Sequence, residues 1–267
     1  MSSIAIIAAL DRELVGLVRG WKPVSFTHNG RKFDAYEDSG RVAIAGGIGP
    51  RAAQAAAEAI VAQYRPQVLI SAGLAGALIH SLKVGSVIAP NVIVDAASGK
   101  EYRCETGGGV LVTTGEVATS ASKPKLVEQF HALAVDMEAA RVAEVAEQAG
   151  ISFRCVKAIS DEAAFVMPPL NRFVDAEGRF RSGRFAAWAA VRPQWWATTL
   201  ALMRNSNRAA DALCEWLRQN AVARKNASTM PESGRSLGAN EAGRNTQPAE
   251  EPEAITISRR DSDSAAS

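Results

Sequence analysis

The sequence has little of what would bind a metal, form disulfide bonds or cross a membrane. Its 267 residues include three histidines, all isolated, and three cysteines that are widely spaced and without a CxxC pair. An odd, scattered set of cysteines excludes a disulfide framework and is typical of a reducing compartment. No metal site is predicted, because zinc ligands recur at short, fixed spacings that these residues do not show.

Charge of one sign and long apolar runs are scarce as well. The 30 Lys and Arg residues against 28 Asp and Glu leave a net charge of +2, which gives no bulk attraction to nucleic acid. The apolar start, Ile4 to Leu10, is cut off by Asp11, Arg12 and Glu13, whereas a membrane span needs about 20 apolar residues. Neither GxGxxG nor a P-loop occurs, so no nucleotide cofactor is predicted. We expect a cytoplasmic protein with no integral membrane segment and no nucleic-acid partner.

The composition changes near Asn220. From Arg224 to Ser267 there is no aromatic residue, and large aliphatic side chains occur at four positions. Such a segment cannot bury enough apolar surface to offset the entropy of ordering the chain. The sequence therefore predicts one folded domain over residues 1–220 and a disordered polar tail over residues 221–267.

Short apolar runs alternate with helical segments in the predicted domain. Strands are predicted at Ile4–Ala8, Val42–Ala45, Val68–Ala72, Val87–Val94, Val110–Thr113 and Phe153–Ile159. Helices are predicted at Asp11–Arg19, Arg51–Tyr64 and Val135–Gln148, with a helix pair from Trp188 to Leu217 in which Pro193 starts the second helix. This order predicts an α/β fold with a mainly parallel central sheet.

Acidic and glycine-rich segments follow the predicted strands. Glu13 follows the first strand, Gly46–Gly49 and Gly73–Gly76 form predicted turns after the second and third, and Ser160-Asp161 follows the last. The carboxyl ends of the strands are where open α/β sheets bind their ligands. The four segments are therefore predicted to converge on one site.

An acidic pair, Asp136 and Glu138, stands at the head of the predicted helix Val135–Gln148. Carboxylates there complement the positive end of a helix dipole, and Ser160 or Asp161 could equally cap a helix. Taken singly, each of these residues favours a structural role. Their combination in one chain is what indicates a catalytic role.

Five blocks in order resemble the purine nucleoside phosphorylase/nucleosidase superfamily, especially its 5′-methylthioadenosine/S-adenosylhomocysteine nucleosidases. They run from Ile4 to about Ala163: IAIIAALDRELVGL, the GGIG turn with its Ala-rich helix, LISAGLAGAL followed by LKVGSVIAP, VDMEAARVAEVAEQAGISF, and VKAISDEA. The resemblance implies a three-layer α/β/α sandwich with a mainly parallel (mixed) sheet. It also implies cleavage of the N-glycosidic bond of an adenosine-type, 5′-substituted nucleoside, with release of adenine, by a homodimer or higher homo-oligomer.

The resemblance also implies roles for individual residues. Asp161, helped by Ser160, would be the acid that protonates N7 of the leaving purine. Glu138, with the backbone of Met137, would bind the ribose hydroxyls and face the positive charge that develops on the sugar. Glu13 would orient the attacking water. The other residues of the implied substrate site are Gly73, Leu74, Lys157 and Ile48.

The sequence leaves hydrolysis and phosphorolysis open. Ser71 and Leu74 stand where phosphorylases of the bacterial hexameric type hold phosphate with an Arg and a Ser, and Glu13 would repel phosphate, so hydrolysis is favoured. Nucleosidases, however, usually carry an Arg where Lys157 stands, and Lys lacks the planar fork of Arg. Their adenine-stacking aromatic residue is also missing from Thr114–Val117.

A second branch supplies the alternative reaction. Leu74, the short middle region and the Arg192–Trp195 segment resemble the hopanoid-associated phosphorylases, which remove adenine from adenosyl-hopane. Phosphate would then be a second ligand, held by Lys157, Arg51 and the backbone amides of the two glycine turns. An alternative of another class is a catalytically inactive nucleoside-binding module, because a fold does not fix a function.

Overall fold

The computed structural model describes residues 4–104, 106–175 and 177–222. The tail predicted over residues 221–267 lies outside the described residues, apart from its first two. The boundary predicted at residue 220 therefore stays a prediction.

One mixed sheet runs through the part of the chain that the structure describes. Its strands are β1 (Ile4–Ala8), β2 (Lys22–His28), β3 (Arg31–Asp38), β4 (Arg41–Ala45), β5 (Val68–Ala77), β6 (Val87–Ile88), β7 (Val92–Asp95), β8 (Glu101–Arg103), β9 (Val110–Thr113), β10 (Ala134–Asp136) and β11 (Ser152–Asp161). The long strand β5 is central, with β1 and β11 parallel to it on opposite edges. From β1 the order continues to β4, β3 and β2, and β6 pairs with β11. The end of β5 also pairs antiparallel with β10, which leads on to β9, β7 and β8.

Helices cover both faces of this sheet. They are α1 (Pro50–Tyr64), α2 (Lys123–Phe130), α3 (Ala139–Ala149), α4 (Ser182–Ala190) and α5 (Trp196–Val222). Successive residues of a strand point to opposite faces, and β1 shows the result: Ile7 packs in one core with α1 and α3, whereas Ile6 packs in a second core with α5. The predicted three-layer α/β/α architecture with its mixed sheet is confirmed.

Two predicted elements are wrong in type. The helix predicted at Asp11–Arg19 is a 3-10 turn, Asp11–Glu13, followed by further turns. Gly16 in this segment packs against α5 so closely that a Cβ would lie 2.9 Å from the Cβ of Cys214. The turn predicted at Gly73–Gly76 is the continuation of β5.

Other differences concern boundaries. The strand predicted at Val87–Val94 is two strands, β6 and β7, separated around Pro90, because proline has no N–H for a ladder bond. The helix predicted from Val135 begins at Ala139, and the preceding residues form β10. The hairpin β2–β3 was not predicted. The helix pair is confirmed, with a 3-10 turn at Pro193–Trp195 leading into α5.

Across the described ranges, none of the helices combines the length and the hydropathy that crossing a bilayer requires.

Candidate active site

A cavity of about 590 Å³ lies at the carboxyl ends of β1, β5 and β11. Seven of the nine predicted site residues line it: Glu13, Ile48, Leu74, Met137, Glu138, Ser160 and Asp161. The other two, Gly73 and Lys157, lie behind this wall. The volume suits a small-molecule ligand.

Asp161 and Ser160 reach the cavity together because β11 is irregular at its end. The register with β5 shifts between Ile159 and Asp161, as in a β-bulge. In a regular strand two consecutive side chains would face opposite sides, whereas a bulge re-aims them. The Ser160 hydroxyl donates to Asp161 Oδ1 at 2.9 Å, and Asp161 is almost completely buried.

Two glycines of β5 make room for the carboxylates. A Cβ at Gly76 would lie 2.9 Å from Asp161 Oδ2, and a Cβ at Gly73 would lie 3.3 Å from Glu13 Oε2. Glycine in a strand often marks such a close approach. The glycine pattern that predicted a turn therefore reflects two acids packed against a continuous strand.

Glu13 is held by the backbone just after β1. Its Oε2 accepts hydrogen bonds from the N–H groups of Ala9 (3.0 Å) and Leu10 (3.3 Å), and the side chain is buried. Burial raises the pKa of Glu13, and the nearby Lys157 ammonium opposes part of that rise.

Glu138 links the head of α3 to the GGIG turn. Its Oε1 accepts from the N–H of Gly49 at 2.8 Å, and its Oε2 accepts from the N–H of Met137 at 3.2 Å. Burial and then the neighbouring Asp136 carboxylate raise the pKa of Glu138 to about 7. This carboxylate can therefore change its charge near neutral pH.

A buried ion pair lies behind these residues. Lys157 Nζ is 2.8 Å from Asp136 Oδ2 and donates to Ser71 Oγ at 3.2 Å. Asp136 also accepts from the Thr113 hydroxyl at 2.6 Å and from the N–H of Ala139 at 2.9 Å. Burial lowers the pKa of Lys157, but Asp136 and other anionic neighbours raise it more, so the ammonium stays charged.

The amides of the GGIG turn are already paired. The N–H groups of Gly46 and Gly47 donate to the carbonyls of Ala8 and Ala9 at 2.8 and 3.0 Å. The N–H of Ile48 donates to the Gly178 carbonyl at 2.7 Å, and Gly49 donates to Glu138. Arg51 is exposed and is not among the residues of the cavity wall.

Sequence reasoning missed a lysine in the wall. Lys123 is buried, and its Nζ donates to Asp161 Oδ2 at 2.6 Å and to the Glu162 carbonyl at 3.0 Å. It lies in a polar SASKPK segment that is typical of a solvated surface. One feature of the sequence could have indicated a special role for Lys123. It lies in the first turn of α2, where a cation is unfavourable beside the positive end of the helix dipole.

The apolar part of the wall was also missed. It comes from residues 167–206, beyond the five motif blocks, and comprises Met167, Leu170, Val174, Phe180, Phe185, Leu202 and Met203. No motif marks these positions, because an apolar wall needs only size and hydrophobicity.

Three carboxylates line a cavity at the carboxyl ends of the strands of a mixed sheet, which is where α/β proteins bind small molecules. The chain belongs to the phosphorylase superfamily, whose sequence profile matches residues 3–109 and 91–186. The predicted superfamily is thus confirmed.

The chain is also similar to individual proteins of known name. The chain is 28% identical over 198 residues to a 5′-methylthioadenosine/S-adenosylhomocysteine nucleosidase of Bacillus subtilis, which covers 60% of this chain and 86% of the relative. Its fold is similar to the corresponding nucleosidase of Helicobacter pylori, with a TM-score of 0.62 and 16% identity over 81% of this chain and 96% of that one. It is also similar to the futalosine hydrolase of Helicobacter pylori, with a TM-score of 0.61 and 17% identity over 80% and 95%.

Proposed function

We propose that this protein hydrolyses the N-glycosidic bond of an adenosine-type nucleoside and releases adenine. The observation that carries the proposal is that Asp161, Glu138 and Glu13, from three separate elements, line one cavity. The names of the relatives, which are nucleosidases, support the same reaction.

Each of the three carboxylates has its own role in the reaction. Cleavage of the C1′–N9 bond leaves electrons on the purine and positive charge on the sugar. Asp161 gives a proton to N7 of the leaving base, and Glu138 binds the ribose hydroxyls and stabilises the cation. Glu13 accepts a hydrogen bond from the water that attacks C1′ and takes its proton as the C1′–O bond forms, so the products are adenine and the free sugar.

Water suits this site better than phosphate does. A phosphate needs several donors or cations to offset its desolvation. The GGIG amides are occupied, Lys157 is paired with Asp136, and the Glu13 carboxyl faces the cavity. At about 4 Å and an effective dielectric near 20, an ionised Glu13 would oppose each phosphate charge by roughly 4 kcal/mol.

The apolar wall over residues 167–206 favours an apolar 5′ substituent on the nucleoside. Ribose and adenine account for the polar contacts near Glu138 and Asp161, which leaves this wall for a further group. Apolar surface removed from water would contribute about 25 cal/mol per Å² to binding. A methylthio group, as in the relatives' named substrate, is the smallest candidate, and the wall also suits a bulkier group.

Two further expectations remain proposals. A cytoplasmic location agrees with three buried free cysteines. Self-association is supported by Trp196 and Leu200, which lie one turn apart on α5 and are each about half exposed.

Adenine release from a panel of adenosines with 5′ substituents of increasing apolar size tests the proposal. We expect 5′-alkylthio adenosines to have a higher kcat/KM than adenosine itself, because the apolar wall binds the added group. Failure of every adenosine-type nucleoside to yield adenine would favour the inactive binding module, and binding of the same nucleosides measured by calorimetry would identify it.

The raised pKa of Glu138 predicts a pH dependence. Because the ionised carboxylate binds the sugar and stabilises the cation, kcat/KM should fall about tenfold per pH unit below about 7. Glu138→Gln should be slow at every pH and lose this limb of the profile. The matched control is Glu147→Gln, an exposed residue of the same helix, which should keep the wild-type profile. An unchanged acidic limb in Glu138→Gln would assign the ionisation to another group.

A further inference from the structure

The contacts of Asp161 are those of a carboxylate, although its proposed task requires a carboxylic acid. Oδ2 accepts from the Lys123 ammonium at 2.6 Å, and Oδ1 accepts from the Ser160 hydroxyl. A general acid must hold a proton when the leaving base needs one. The structure therefore raises the question of where the proton of Asp161 comes from.

Lys123 is the group placed to supply this proton. Its side chain is 4% exposed and that of Asp161 is 3% exposed. Of the other charged groups around the cavity, Glu162 pairs with Lys83, Lys157 pairs with Asp136, and Glu13 and Glu138 accept from backbone amides. Asp11 and Arg12 also line the cavity and are exposed. Both residues of this pair line the cavity, so a bound ligand would change the surroundings of the pair.

We propose that Lys123 is the proton donor that recharges Asp161 during turnover, an inference that rests on the proposed nucleoside cleavage. The Nζ–H bond of the ammonium breaks as the Oδ2–H bond forms, which leaves a neutral amine beside a neutral carboxylic acid. The acid then gives this proton to N7 of the purine while the C1′–N9 bond breaks, and Asp161 is a carboxylate again. The amine regains a proton from solvent after the products leave.

Binding of the nucleoside drives the first transfer. A ligand that fills the cavity excludes water, and loss of water disfavours two charges far more than two neutral groups. The acid thus forms when the purine is in place. In the open site the Ser160 hydroxyl and the Glu162 carbonyl hold the two side chains in position.

The test compares Lys123→Met, Lys123→Arg and the wild type from about pH 5.5 to about pH 8.5. In Lys123→Met, Asp161 must take its proton from solution, so the ratio of wild-type to variant kcat should grow with pH. We expect near parity at the acidic end and a loss on the order of a hundredfold at the alkaline end. The ratio cancels the ionisation of Glu138, which both proteins share, and KM should change little.

The arginine variant separates proton transfer from charge. Arg keeps the positive charge and the contact with the carboxylate but does not release its proton in proteins. We therefore expect Lys123→Arg to lose on the order of a hundredfold in kcat at neutral pH. Lys125→Met, an exposed lysine on the same helix, is the matched control and should behave as wild type.

Three outcomes would overturn the proposal. They are a pH-independent ratio for Lys123→Met, near wild-type turnover of Lys123→Arg, and a wild type that releases no adenine at any pH. The last outcome also rejects the proposed function, whereas the first two reject the proton donor alone. If Lys123→Arg fails to fold, ethylammonium added to Lys123→Ala replaces it: restored turnover at alkaline pH supports the proposal, and no rescue contradicts it.

Discussion

Replacing Asp161 with Asn is expected to reduce adenine release at least about a hundredfold, because the amide cannot give a proton to the leaving purine. The amide oxygen of the Asn can still accept from Lys123 while its amide nitrogen donates to the Ser160 hydroxyl, so the protein should fold. The turnover of the purified, folded variant is measured from the absorbance of released adenine. Near wild-type activity would remove Asp161 from the mechanism.

The same substitution should also lower stability, which the sequence alone does not suggest. Asn leaves the buried Lys123 ammonium without a counter-charge, and loss of one partner of a buried pair costs about 3–5 kcal/mol. The double variant Asp161→Asn/Lys123→Met removes both charges and should regain much of that stability while staying inactive. Recovery of stability without activity would separate the two roles of Asp161, and recovery of both would contradict the mechanism.

Replacing Lys157 with Met is expected to destabilise the protein by about 3–5 kcal/mol, because Asp136 would remain buried and unpaired. Asp136 also ties together β9, β10 and α3 through its hydrogen bonds with Thr113 and Ala139. Without the Lys157 charge, the repulsion between Asp136 and Glu138 would also rise. Urea denaturation measures the loss, with the exposed Lys125→Met as the matched control. The double variant Lys157→Met/Asp136→Asn should recover part of it.

Equal stability of Lys157→Met and wild type would contradict the expected cost of leaving Asp136 buried and unpaired. If the variant were instead stable but inactive, Lys157 would act at the cavity, as the resemblance to nucleosidases implies. We expect the main effect of Lys157 to be on the framework that holds Glu138.

Elements with a clear apolar pattern could be predicted from the sequence. The continuous apolar run at Ile4–Ala8 and the alanine-rich segment after Pro50 became β1 and α1, since each buries one coherent surface. Strand β11 was predicted for the same reason. The hairpin β2–β3 was missed because its outer residues are polar and its apolar face is short.

The candidate site was predicted where acids follow strands and missed where position depends on packing. Glu13, Glu138 and Asp161 stand in recognisable blocks, but Lys123 reaches Asp161 across 38 residues of chain. Gly76 looked like a turn residue because the sequence cannot show that a carboxylate occupies the space of its missing Cβ. Such long-range approaches exist only once the chain is folded.

Product analysis with and without phosphate tests whether three carboxylates hydrolyse a nucleoside in this protein. A 5′-alkylthio adenosine is incubated with the full chain in phosphate-free buffer and in phosphate buffer, and the sugar product is identified by mass spectrometry. We expect adenine release at similar rates in both buffers, with the free sugar as product. Turnover that requires phosphate and yields a sugar 1-phosphate would contradict it.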